Sequence, residues 1–105
     1  MRDWPREVFI ELDLSVRIRY CRSEHPPPIE YAVMLEVITE GDWTTIGLWD
    51  NADAFDQHHE HRYTRSEGKQ DPAMLEFATT NEAMASAIRK AATDWQAILK
   101  AWNES

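Results

Sequence analysis

Val8-Phe9-Ile10-Glu11-Leu12-Asp13-Leu14-Ser15-Val16-Arg17-Ile18-Arg19-Tyr20 is the stretch that decides the fold class. Every even position is apolar, and between them stand Phe9, Glu11, Asp13, Ser15, Arg17 and Arg19. Apolar residues at strict period two belong to an extended backbone with one buried face, because a helix would scatter them around its circumference. The pattern predicts one long strand from Val8 to Tyr20, with Arg17 and Arg19 side by side on its wet face.

Working outward, Ser23-Glu24-His25-Pro26-Pro27-Pro28 must be a connection, since consecutive prolines supply no ladder donors. Alternation resumes at Ile29, Tyr31, Val33, Leu35 and Val37, and Glu40-Gly41-Asp42 separates that strand from a third over Trp43 to Trp49. A loop this short predicts an antiparallel hairpin. Met84, Ile88, Ala91, Trp95, Ile98 and Trp102 then recur at helical intervals, with Leu99 widening the stripe. Thr79-Thr80-Asn81-Glu82 supplies a capping box, so a helix is expected from about Thr80 to about Trp102. Its solvated face carries Glu82, Arg89, Lys90 and Asp94, while Trp95 and Trp102 are core residues. Short strands are expected around His59 to Arg65 and Met74 to Ala78, flanking an exposed loop from Ser66 to Pro72. The predicted architecture is α+β: an antiparallel sheet of four to five strands with one long C-terminal helix packed on one face.

The 105 residues suit a single domain, 1–105, with 43% apolar and 29% charged residues typical of a globular chain. Nineteen acidic against eleven basic residues give a net charge of −8, which argues against broad non-specific attraction to nucleic acid and favours a basic partner. The single cysteine, Cys21, cannot close an internal disulfide, so a cytoplasmic location is the default expectation and a structural role is expected for the thiol. The first residues are charged, and no apolar run approaches the length of a membrane span.

Three of the four histidines, His58, His59 and His61, fall within four residues, in a segment running from Trp49-Asp50-Asn51 to Tyr63-Thr64-Arg65. In an extended segment His59 and His61 share one face, about 7 Å apart at their side-chain origins, while His58 and Glu60 point the other way. Two readings follow. For metal-free RNA cleavage, His59 and His61 act as the acid–base pair, Asp50 orients one imidazole, and Arg62 and Arg65 contact phosphate, with Arg17 and Arg19 joining if the first strand runs alongside. Tyr63 would donate a hydrogen bond or stack on a base. For metal binding, His59 and His61 are two ligands of a divalent ion, Asp50 or Asp56 is the third, and water takes the open position; the acid–base reading needs no cofactor. Against both stands a charge-paired edge strand that carries no chemistry. Asp50-Asn51 at a strand end is first a turn signal, and Trp49 is close enough to wall the site.

The order of elements, the Asp50-Asn51 pair, His59-Glu60-His61, a proline before a short strand ending in Phe77, and the final helix resemble the TumE-type toxins of two-gene toxin–antitoxin modules. The family usually carries glycines and a lysine between Asp-Asn and the first histidine, whereas this chain has Ala52-Asp53-Ala54-Phe55-Asp56-Gln57-His58. The resemblance implies a small toxin that acts on RNA and is neutralised by a cognate antitoxin protein. A leftover sheet face or edge would support a homodimer.

Overall fold

The computed structural model describes residues 7–24, 28–51 and 57–105. His25 and Asp56 therefore lie outside the described residues. Among the described residues seven strands precede one helix: β1 (Glu7–Asp13), β2 (Val16–Ser23), β3 (Glu30–Thr39), β4 (Asp42–Asp50), β5 (His58–Thr64), β6 (Gly68–Lys69), β7 (Ala73–Leu75) and α1 (Thr80–Asn103). The sheet runs β1-β2-β3-β4-β5-β6 in chain order, and β7 also pairs with β5. Every pairing is antiparallel. The fold is the expected α+β sheet with a C-terminal helix, built from more and shorter strands.

The extra strands begin with a correction: the expected long first strand folds back on itself as the β1–β2 hairpin. Asp13 pairs with Val16 across a loop of Leu14 and Ser15, and the Asp13 carboxylate accepts the Leu14 N–H at 2.9 Å. Leu14, read as buried, is 87% exposed at the tip. The alternation survives because Val8 lies opposite Tyr20 and Ile10 opposite Ile18, so even positions stay on one face through the turn. A period of two cannot distinguish one strand from two folded in that register, although about 13 residues exceeds the usual strand length.

The β3–β4 hairpin turns through Glu40 and Gly41, with φ of 52° and 86°. Positive φ at both central positions is what a tight hairpin with right-handed strand twist requires, and Gly41 meets it without a Cβ clash. Thr79 caps α1 by accepting the Glu82 N–H, and the last turn closes with the Glu104 N–H donating to the Lys100 carbonyl. The stripe of α1 packs Met84, Ala87, Ala91, Ile98 and Trp102 against Ile18, Val33, Leu35, Ile46 and Trp49, forming the core between helix and sheet. Gly68 and Lys69 form β6 inside the stretch read as a loop, because Gly68 at φ 76° lets the chain return along β5.

A bulge between Leu35 and Glu36 leaves Ile46 as an extra buried residue of β4 and brings the Trp49 ring beside Gly47. A Cβ at Gly47 would stand 3.1 Å from the Trp49 ring and 3.6 Å from Leu35 Cβ. Gly47→Ala is expected to destabilise the protein by about 1–3 kcal/mol, an overpacking penalty in a dense core, measured by urea unfolding. An unchanged midpoint would show that the Trp49 ring is free to retreat.

Candidate metal centre on the open face of the sheet

The register between β4 and β5 builds the site. Asp50 lies opposite His59 and Leu48 opposite His61, so the carboxylate of one strand end meets both alternate imidazoles of the next on the sheet face away from α1. The His59 and His61 ring centroids are 6.2 Å apart. One ligand atom from each of Asp50, His59 and His61 lies within 4.8 Å of the others. His59 Nδ1 stands 3.7 Å from Asp50 Oδ1, within ion-pair reach when the ring is protonated. Asp50 is buried and the two histidines half-buried, so the trio is held by packing while solvent reaches the imidazoles.

The His61 tautomer follows from hydrogen-bond chemistry. Its Nδ1 is 2.9 Å from the Gln70 carbonyl oxygen, which can only accept. Nδ1 therefore carries the proton and donates, leaving the lone pair of neutral His61 on Nε2. This is the orienting bond that metal-ligating or catalytic imidazoles use. Gln70 lies in the stretch read as exposed loop, and its backbone carbonyl carries no side-chain signal; only the Gly68 turn hints that the chain returns there.

His58 belongs to a different structure. It is buried on the helix side, its Nδ1 lies 3.0 Å from the Tyr31 hydroxyl, and Phe77 meets its ring edge-on. Burial, aided by the Asp50 charge, pushes the Tyr31 hydroxyl up to about 12, so it stays protonated throughout the physiological range. Asn51 is fully buried, accepts the Tyr31 N–H and donates to the Ile29 carbonyl, tying the start of β3 to the end of β4. That is the structural use of the Asp-Asn pair, with Asp50 left to the site.

The arginines do not join the histidines. Strand alternation turns Arg62 to the helix side, where it lies over the Trp49 ring and 3.6 Å from Glu60. Arg65, just past the end of β5, stacks over Trp102. Both were expected as phosphate contacts beside His61, and the alternation that separates Glu60 from the histidines separates Arg62 as well. Trp49 points to the same helix side, so it does not wall the site.

Arg17 and Arg19 share the open face, but Arg19 sits in the row Arg19–Met34–Leu48–His61, three strands or about 14 Å from His61. Both are engaged by Glu36, which is only 3% exposed: Arg17 Nε donates at 2.9 Å and Arg19 Nε at 3.1 Å. The Arg17 guanidinium is further held between the Phe9 and Trp43 rings. Glu36 is a signal the sequence does carry, an acid set within an otherwise apolar run of β3. Tyr63 is half-buried against the core, and burial first and Asp50 second raise its hydroxyl above the ordinary value.

On the helix side, Lys90 leaves the solvated face expected for it and lies 2.7 Å from Glu60, which also accepts the Trp49 indole N–H. Burial alone would raise the Glu60 carboxyl. The Lys90 and Trp49 hydrogen bonds and the Arg62 charge outweigh it and hold the carboxyl below its ordinary 4.5. A depressed folded value stabilises the fold above the unfolded value, and that stabilisation is lost as pH falls through the folded one.

An α+β domain with a two-histidine, one-carboxylate cluster on its open sheet face is the class these features define. A family model described as "Domain of unknown function (DUF7718)" matches residues 3–105, and the chain belongs to that family. No curated protein and no solved structure matches the chain. Among the described residues no helix is long and apolar enough to cross a membrane.

Two outcomes check this arrangement. Glu60→Gln is expected to cost about 2 kcal/mol at pH 7, as loss of a charge-assisted bond should, and to flatten the fall of stability below pH 4.5; equal acid sensitivity in both proteins would contradict the pairing. Burial pushes the Cys21 thiol up to about 11, so a disulfide reagent at pH 8 should label native protein far more slowly than urea-unfolded protein.

Proposed function

We propose that this domain binds one divalent transition-metal ion of the zinc type through Asp50, His59 and His61 and presents an open coordination position for hydrolytic chemistry. The convergence of the three ligand atoms to within 4.8 Å of one another carries the reading. Two imidazole nitrogens and a carboxylate oxygen are the donor set of hydrolytic zinc sites, where donors about 2.1 Å from the ion stand about 3.4 Å apart, so modest side-chain rotation closes the trio. A bound ion there would supply Lewis acidity and a water acidified toward neutrality. The chain supplies the rest: the Gln70 carbonyl fixes the His61 ring with Nε2 available, and the buried end of β4 holds Asp50 beside His59.

The resemblance to TumE-type toxins supports a second reading, in which the 6.2 Å pair of imidazoles cleaves RNA without metal in a cytoplasmic toxin held by an antitoxin or paired with a second copy. This mechanism needs a cation at the phosphate, but Arg62 and Arg65 lie against Trp49 and Trp102, away from the histidines, and Arg17 and Arg19 are held by Glu36. Metal binding is therefore the better-supported reading.

Metal-stripped protein titrated with Zn²⁺ or Co²⁺ should take up one equivalent. His59→Ala, His61→Ala and Asp50→Asn should each weaken binding by more than about 100-fold, while His58→Gln leaves it unchanged. The same preparations incubated with RNA separate the two readings: cleavage only after metal is restored supports the first, and cleavage by stripped protein that His61→Ala abolishes supports the second. Failure to bind either ion would overturn the metal site.

A further inference from the structure

Arg62, which the histidine site leaves unused, lines a groove between β5 and the C-terminal half of α1. Its volume is about 350 Å³, with Ala97, Ile98, Ala101 and Trp102 forming an apolar wall and Arg62 and Asp94 as the charged residues of the lining. We propose that this groove binds a small carboxylate borne on a short aliphatic or single-ring body, with the acid group on Arg62 and the body along the helix wall.

Three observations support this occupant. First, Arg62 Nη1 is buried without a hydrogen-bond partner among the described residues. Its Nη2 is 3.6 Å from a Glu60 oxygen that Lys90 holds more tightly, at 2.7 Å. A guanidinium left short of acceptors is costly, and a carboxylate can take two of its N–H groups at once. The Arg62 side chain is 40% exposed, so its guanidinium can turn toward the groove it lines. Second, Arg65 lies 5.0 Å over the Trp102 ring, and the Ser105 hydroxyl, in the groove lining, accepts the Arg65 backbone N–H. Arg62 and Asp94 are the charged residues of the lining, and Arg65 stands beside it on Trp102 as a second cation, so an anion is drawn to Arg62 despite the net charge of −8. Third, the volume lies at the lower end of small-molecule sites, which limits the body to a few carbons or one ring.

The test is an amide and indole NMR titration of the full metal-stripped chain with hexanoate, and in parallel with hexanamide, hexylamine and inorganic phosphate. Hexanoate should shift Ala97, Ala101 and the Trp102 indole in a saturable way, with hexanamide and hexylamine at least about tenfold weaker. Phosphate, which has the charge but no body, should also be weaker. Arg62→Gln should weaken hexanoate at least about tenfold, and Ala101→Leu, at an exposed helix position, should block the groove without unfolding the protein. Circular dichroism checks both variants, and the uncharged amide decides the question should Arg62→Gln fail to fold. The proposal is overturned if hexanoate leaves these signals unmoved, if the amide or amine binds equally well, if phosphate alone matches hexanoate, or if folded Arg62→Gln binds as tightly as wild type.

Discussion

The pairing of Asp50 with His59 across β4 and β5 is the constraint on which the rest depends. A shift of one residue would send His59 and His61 into the core and bring His58 and Glu60 to the open face, because side chains alternate along a strand. Across that pair the Trp49 indole donates to Glu60, which Lys90 also holds from the helix side, while the Gln70 carbonyl fixes the His61 ring on the open face. Buried Asn51 ties the end of β4 to the start of β3, so Asp50 cannot drift along the strand.

The two faces of β5 thus have separate chemistry. The open face gathers two imidazoles and a carboxylate, the donor set of the proposed ion. The helix face gathers Glu60, Arg62 and Lys90 over aromatic and aliphatic packing, and continues past Arg65 to the end of α1. The remaining pair of arginines serves the sheet itself: Arg17 and Arg19 neutralise buried Glu36, whose charge would otherwise be expensive on a strand packed on both sides. Arginine suits that role because its planar fork meets a carboxylate edge while its face stacks on Phe9 and Trp43.

Period and capping were the legible parts of the fold. The stripe of α1 and Thr79 at its start place the helix within a residue of expectation, and Glu40-Gly41 marks the central hairpin. The first hairpin was hidden because its register preserves alternation through Leu14 and Ser15. Within the site, the shared face of His59 and His61 follows from spacing alone. Their meeting with Asp50 does not, since it depends on how β4 and β5 align across the intervening connection. Alternation already excluded Arg62 from the histidine face, so its expected role conflicted with the rule that joined the two histidines. The Gln70 contact had no sequence signal, because a backbone carbonyl belongs to every residue.

The most direct measurement is the imidazole nitrogen NMR spectrum of the protein recorded before and after one equivalent of Zn²⁺. The account requires neutral His61 to carry its proton on Nδ1 and to bind through Nε2, with His59 responding alongside it and buried His58 unmoved. A His61 ring protonated on Nε2, or a response at His58 in place of the other two, would contradict the strand register and the site built upon it.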